Sequence, residues 1–272
     1  MSADALPDNT APKRARIIAV VNQKGGVGKT TSVVNIGAGL ALRGRKVLLV
    51  DLDAQAHLTY SLGVEPDELA LTVYELLSGE ADVGEVLIEA GGMALIPAAV
   101  GLTAAEFELS AKAGREALLR DVLAGVSGYD FILLDCPPNL GLLTLNALTA
   151  AGEVFVPVPP EFLAIKGLNN LSEMADKVRE RLNPELKITG VIVTLFDQRL
   201  KLYQEVLESL RATIGDRLFR TVIRRNVALA EATSFGQSIF EYAPASHGAE
   251  DYRALCEEIL RRGHNNVEAK TA

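Results

Sequence analysis

The chain is poor in the residues that build covalent or metal-held scaffolds. Two cysteines in 272 residues, Cys136 and Cys256, lie far apart and neither belongs to a Cys-x-x-Cys pair, which excludes a disulfide framework or a cysteine zinc site. The same placement fails an iron–sulfur centre, because one cysteine follows a strand-like run and the other sits in a late helical pattern. Three histidines, His57, His247 and His264, are scattered and read as surface or packing residues. Long apolar runs are missing too: the longest candidates, such as 93–102, are interrupted well short of the ~18 residues a membrane span needs. The first sixteen residues carry charges and prolines without an apolar stretch, so no secretory signal is expected and the protein is expected in the cytoplasm.

What is present is a globular composition: 49% hydrophobic and 23% charged, with 27 Lys and Arg against 35 Asp and Glu, for a net charge of -8. That excess of acid argues against a protein whose whole surface coats nucleic acid, while leaving room for a local basic face. Residues 1–15 have no apolar periodicity and read as a flexible tail; 16–262 read as a single folded unit, and 263–272 as a second tail. Short apolar runs at 17–22, 46–51, 94–97, 129–135, 153–159, 187–196 and 217–223 alternate with helix-type spacing at 29–43, 163–182, 201–214, 227–235 and 249–262. Runs of this kind suit strands buried on both faces, so the expected fold is α/β, a doubly wound and mostly parallel sheet with helices on both faces.

The most informative segment is Gln23-Lys24-Gly25-Gly26-Val27-Gly28-Lys29-Thr30-Thr31, between the first strand and the first helix. Glycines let backbone N–H groups converge on phosphate oxygens, and the helix N-terminus adds its positive dipole end. Lys29 is then expected on the β- and γ-phosphates of a nucleotide, and the Thr30 hydroxyl on Mg²⁺. Gln23 stands where the usual phosphate-loop pattern has its first glycine, and Lys24 is added just after. A lysine at the start of the loop cannot easily fold back onto its own phosphates but reaches nucleotide on a facing subunit, which implies an ATP-dependent dimer.

Two acidic segments follow. Asp51-Leu52-Asp53 ends a strand, where parallel sheets present ligands; Asp53 is the candidate for orienting an attacking water, and Asp51 for supporting Mg²⁺ or the loop. Phe131-Ile132-Leu133-Leu134 ends in Asp135-Cys136-Pro137-Pro138, the form of a Walker B segment, with Asp135 expected to hold Mg²⁺ through water and the prolines to stiffen a switch loop.

These segments, with Asp51-Leu52-Asp53-Ala54-Gln55, Asp135 through Leu148 and Arg225-Asn226-Val227, resemble the ParA/Soj family of partition ATPases, in the deviant Walker A group that also contains MinD. The likeness spans nearly all of 16–262. It implies a weak ATPase that dimerises on ATP, binds double-stranded DNA without sequence preference on the nucleoid, drives chromosome or plasmid partition, and releases DNA when a ParB-like partner stimulates hydrolysis. By the same matching Lys24 is the signature lysine, Lys29 the Walker lysine, Asp53 the residue needed for hydrolysis, and Arg225 with Asn226 lies near the base. The chain departs from the family at Ala54, Arg224 and Ala228, where Pro, Pro and Arg are common.

Residues 199–225 hold seven basic side chains against three acidic ones, which suits salt-dependent, sequence-blind contact with phosphates. The expected DNA-binding residues are Arg199, Lys201, Arg220, Arg224 and Arg225; Arg199 also matches an arginine the family uses for DNA. The resemblance makes the basic segment with Lys13, Arg14 and Arg16 a place to look for contact with the stimulating partner. Two other readings stay open: a relative that positions a protein cargo on the nucleoid, and a MinD-like membrane-associated ATPase. The sequence after Arg261 has one aliphatic residue larger than alanine, which disfavours a membrane-anchoring helix.

Overall fold

The computed structural model describes residues 14–161 and 164–271. Residues 1–13 of the expected tail 1–15, the expected helix start at Leu163 and Ala272 lie outside the described residues. Within them the chain forms eight strands: β1 (Arg16–Val20), β2 (Val47–Asp51), β3 (Ile88–Ala90), β4 (Met93–Ile96), β5 (Phe131–Asp135), β6 (Glu153–Val158), β7 (Lys187–Phe196) and β8 (Leu218–Arg224). Between and after them run α1 (Lys29–Ala41), α2 (His57–Tyr60), α3 (Val73–Ser78), α4 (Val83–Val86), α5 (Leu102–Leu109), α6 (Leu118–Leu123), α7 (Leu142–Ala150), α8 (Ala164–Arg181), α9 (Lys201–Ile214), α10 (Val227–Ser234), α11 (Ile239–Tyr242) and α12 (His247–Thr271). The strands make one sheet in the order β3-β4-β2-β5-β1-β6-β7-β8, parallel throughout except for the β3–β4 edge.

Alternation along each strand builds two apolar layers. Ala19, Leu48, Val50, Ile132, Leu134, Val154 and Val156 face one side, packed with α3, α5, α6, α7, α8 and α9. Ile18, Val20, Val47, Leu49, Leu133, Phe155 and Ile192 face the other, packed with α1, α10, α11 and α12. This two-sided burial is why the strands read as continuous apolar runs. Every expected strand and helix is found, with ends displaced by a few residues. The helical backbone of α12 runs on to Thr271, beyond the expected end of the folded unit at Arg262.

What the sequence reading left unassigned lies mostly between residues 57 and 150. Leu-Leu-Thr-Leu-Asn-Ala-Leu-Thr-Ala of α7 has no polar stripe, because the helix is buried against the sheet, α6 and α8 alike. Without a stripe there is no 3.6-residue period to read. The edge hairpin β3–β4 turns through Gly91 and Gly92, both left-handed, and β3 is only three residues long.

Gly190 in β7 faces Phe155 and Phe219, whose rings meet edge to face at 5.2 Å. A Cβ there would lie 2.7 Å from Phe155 and closer still to the Phe219 ring. Gly190→Ala is expected to destabilise the protein by about 1–3 kcal/mol through overpacking, read as a lower urea midpoint with an unchanged slope.

Candidate nucleotide site

The carboxyl ends of β1, β5 and β2 lie side by side, with Val20 in register with Asp135 and Asp135 with Asp51. The loop leaving β1 therefore passes directly above both aspartates. Its backbone turns at Gly26 (φ 70°) and Gly28 (φ 86°), in the left-handed region that a side chain disfavours. A Cβ on Gly25 or Gly26 would meet nothing within 4 Å, so the loop borders open space. Helix α1 starts at Lys29 with no side-chain cap and no acidic residue in its first turn, which leaves its dipole end uncompensated for an anion.

Neighbouring strands brace the loop. Asn22 donates from Nδ2 to the Pro157 carbonyl (2.6 Å) and accepts the Lys24 N–H at Oδ1 (2.9 Å). Thr194 at the end of β7 donates to the Val27 carbonyl at 2.8 Å. The two lysines are then separated. Lys29 is buried, its ammonium 3.4 Å from the Lys24 carbonyl, whereas the Lys24 side chain is exposed and its Nζ meets Glu161 Oε2 at 2.5 Å. Lys24 does not fold back onto its own loop.

Thr30 Oγ1 donates to Asp135 Oδ2 at 2.7 Å. The other oxygen of that carboxylate, Oδ1, is buried and has no partner. Burial first, and the charge of Asp51 second, push the Asp135 carboxyl well above the usual range. An orphaned carboxylate oxygen beside a threonine hydroxyl, under an anion-accepting loop, fits a hydrated Mg²⁺ that completes its shell with waters and phosphate oxygens. It fits a cation of that habit better than an all-protein metal cage, since no cluster of three or more His, Cys, Asp or Glu able to hold a metal occurs among the described residues.

The segment after β2 shows a division of labour between its aspartates. Asp51 is fully buried; its Oδ1 accepts the Asp53 N–H (3.1 Å), and its Oδ2 accepts both the N–H (2.9 Å) and the hydroxyl (2.8 Å) of Thr59. Of the two roles expected for it, support of the loop is the one its contacts serve, because both oxygens are already engaged by the protein. Asp53 is half-buried: Oδ1 accepts the Gln55 N–H at 3.0 Å, and its carbonyl closes a turn onto Ala56, held at φ 50°. After β5, Asn139 accepts the Gly141 N–H (2.8 Å) and Glu106 accepts the Leu142 N–H (2.7 Å), so the Pro137–Pro138 loop is anchored from α5. Sequence reasoning passed over Asn22, Glu106, Thr194 and Glu161; each acts at long sequence range, and no local pattern marks it. Both cysteines are buried, as packing residues should be.

The basic residues between 199 and 225 do not make one face. Arg199 (85% exposed) forks onto Asp197 at 2.9 and 2.6 Å, and this pairing draws the Asp197 carboxyl down to about 2. Lys201 is exposed and 4.0 Å from Glu205; Arg225 is exposed, with its N–H on the Phe196 carbonyl. These three lie at the carboxyl end of β7 and β8, the end that carries the phosphate loop. Asn226, expected near a base, caps α10 by accepting the Ala228 N–H at 2.9 Å. Arg224, expected at the DNA surface, has its guanidinium engaged by Asp251 and Glu250, which clamps β8 to α12. Arg220 sits toward the opposite end of β8. Arg16 is likewise engaged, with Glu153 at 2.7 Å and the Ile259 carbonyl at 3.0 Å, while Arg14 is 88% exposed and Lys13 lies outside the described residues.

A strand, a glycine loop, a helix N-terminus and a strand-end aspartate on the loop's threonine define a phosphate-loop nucleotide site in a doubly wound sheet. A family model described as an AAA domain matches residues 15–188. The chain is 48% identical over 249 residues to the chromosome-partitioning ATPase Soj of Thermus thermophilus, covering 92% of this chain and 97% of the relative. It is 44% identical over 251 residues to the sporulation initiation inhibitor protein Soj of Bacillus subtilis, covering 91% and 99%. A solved Mycobacterium smegmatis structure, described as cobyrinic acid a,c-diamide synthase with bound ADP and magnesium, superposes with a TM-score of 0.82 at 39% identity, covering 93% of this chain and 97% of that one. The chain belongs to the ParA/Soj family of chromosome-partitioning ATPases, and it is an ATPase.

Burial pushes the Asp51 carboxyl up to about 6, against hydrogen bonds from Thr59 and Asp53 that pull it down. A carboxyl raised in the folded state stabilises the fold below its unfolded value and loses that contribution as pH rises through the folded value. Relative to Asp51→Asn, the nucleotide-free wild type is therefore expected to lose up to about 3 kcal/mol of stability between roughly pH 4 and pH 6. Urea unfolding of both proteins at several pH values in that window checks it.

Proposed function

We propose that residues 16–262 act as one partition ATPase unit that dimerises around ATP, binds duplex DNA without sequence preference in that state, and is returned to the monomer when a ParB-like partner accelerates hydrolysis. The observation that carries this reading is the separation of the two loop lysines: Lys29 is buried under the loop, while Lys24 projects outward onto Glu161. An exposed ammonium at the rim of the site supports contact with phosphates held by a second copy. The names of the Soj relatives support partition as the process served. Among the described residues no helix is long and apolar enough to cross a membrane, and the nucleoid in the cytoplasm is the matrix this reading requires.

In this mechanism Gly25 to Thr31 bind the phosphate chain through backbone N–H groups, and Lys29 neutralises it from below. Thr30 and Asp135 are the residues that would hold Mg²⁺, which when bound supplies charge neutralisation at the β- and γ-phosphates. Asp51 fixes the turn by gripping Thr59 and the Asp53 N–H, so that Asp53 is presented to orient the attacking water. Thr194 braces the loop from β7, and the next residues of that strand hold Arg225 through the Phe196 carbonyl. Loop and cations thus share one strand end, which is the physical route by which nucleotide state reaches the DNA-facing surface.

Lys24→Ala is expected to keep monomeric ATP binding but lose the ATP-induced dimer in sedimentation, whereas Asp53→Ala should bind ATP, lose at least tenfold in turnover and accumulate as the dimer. Dimerisation of the Lys24 variant at wild-type ATP concentrations would remove that lysine from the interface. For DNA, the double change Arg199→Ala/Arg225→Ala should weaken retention on a non-specific duplex by tenfold or more at low salt, flatten its dependence on salt, and leave dimer formation intact. Wild-type retention by that variant would place the DNA surface elsewhere.

A further inference from the structure

At the amino-terminal ends of β1, β6, β7 and β8, the side of the sheet remote from the phosphate loop, the chain shapes a cleft of about 1070 Å³. Its walls come from the starts of β6 and β7, the last turn of α9, the turn 215–217, β8 and α12. Two of its basic side chains belong to the framework. Arg16 forks onto Glu153, and Arg262 binds Glu258 and the Leu218 carbonyl while lying 4.0 Å over the Phe219 ring. Those pairs neutralise the two carboxylates they touch. Five further cations, Lys187, Arg211, Arg217, Arg220 and Arg261, line the cleft, are exposed, and have side chains without a hydrogen-bond or ion-pair partner among the described residues. The one lining carboxylate left unpaired is Asp216.

That distribution runs against the composition of the chain, which has more carboxylates than cations. Like charges gathered in one concavity repel one another, and an acidic protein has ample means to pair them. We propose that this cleft is a binding site for a small molecule carrying several clustered phosphate groups. Four of the five unpaired cations are arginines, whose planar forks take phosphate oxygens two at a time. A compact ligand of high charge density answers five cations where a single carboxylate cannot. The volume matches the upper range of small-molecule sites, about 300–1,000 Å³. Beneath the cations the edge-to-face pair Phe155–Phe219, with Arg262 stacked on it, forms a packed floor, so the cleft is preformed. The cations themselves come from five separate elements, and an anion between them would tie α9, β8 and α12 together at this end of the sheet. The site stands independently of the partition reading, because no residue of the nucleotide site lines it.

The test is calorimetric titration of inorganic tripolyphosphate into the full chain carrying Lys29→Ala, which disables the phosphate loop, at roughly 0.15 M ionic strength. One binding event per chain is expected, weakened tenfold or more both by Arg211→Gln/Arg217→Gln/Arg220→Gln and by Lys187→Gln/Arg261→Gln, two sets that leave the thermal melt unchanged. Absence of binding, or affinity that neither set alters, overturns the proposal. So does a third result, in which tripolyphosphate fails to bind while the triple variant, with Lys29 intact, loses retention on duplex DNA; the cleft would then belong to nucleic acid.

Discussion

The parallel pairing of β1 between β5 and β6 is the constraint on which the rest of the site depends. It places Val20 beside Asp135, so that a loop leaving β1 must pass over the Asp135 carboxyl, and the helix that follows must present Thr30 to it. Shift that register by one residue and the aspartate would face the other side of the sheet. The cost of the arrangement is visible in the same place: a fully buried carboxyl with one unpartnered oxygen and a strongly disfavoured charge. A protein interior tolerates such a group where a cation or phosphate-bound water is meant to answer it.

Around that centre each element holds another in position. Asp51 shapes the turn that presents Asp53; Asn22 and Thr194 fix the loop from the two strands on its far side; Glu106 and Asn139 hold the loop after β5. The strand that braces the loop also carries Arg199 just past its end, and its Phe196 carbonyl accepts the Arg225 N–H from the end of β8. Nucleotide chemistry and the carboxyl-end cations are therefore mechanically adjacent, while the cations at the amino end of the seven-residue β8 face a separate cleft.

This spatial division explains where sequence reading succeeds and where it stops. The glycine loop, Lys29, Thr30, Asp53 and Asp135 are legible because their meaning is local: a motif, a preceding apolar run, a following helical period. The doubly wound sheet is legible because strands buried on both faces leave unmistakable apolar runs. Helix α7 is not, since burial on all sides erases the stripe that would announce it. Nor are the partners of the lysines, for Glu161 lies 137 residues from Lys24.

The basic stretch 199–225 is the clearest case. By sequence it is one cluster, and its composition alone determined that phosphates are a sensible partner. Tertiary structure divided it, because β8 runs the length of the sheet between the two groups and a strand rises about 3.3 Å per residue. It also withdrew Arg224 and Arg16 into ion pairs with Asp251 and Glu153, side chains that only folding brings near. The order of residues determined the phosphate loop and the class of fold; three-dimensional packing decided which charges are exposed, which are satisfied and which face one another, since those properties depend on neighbours that are distant along the chain.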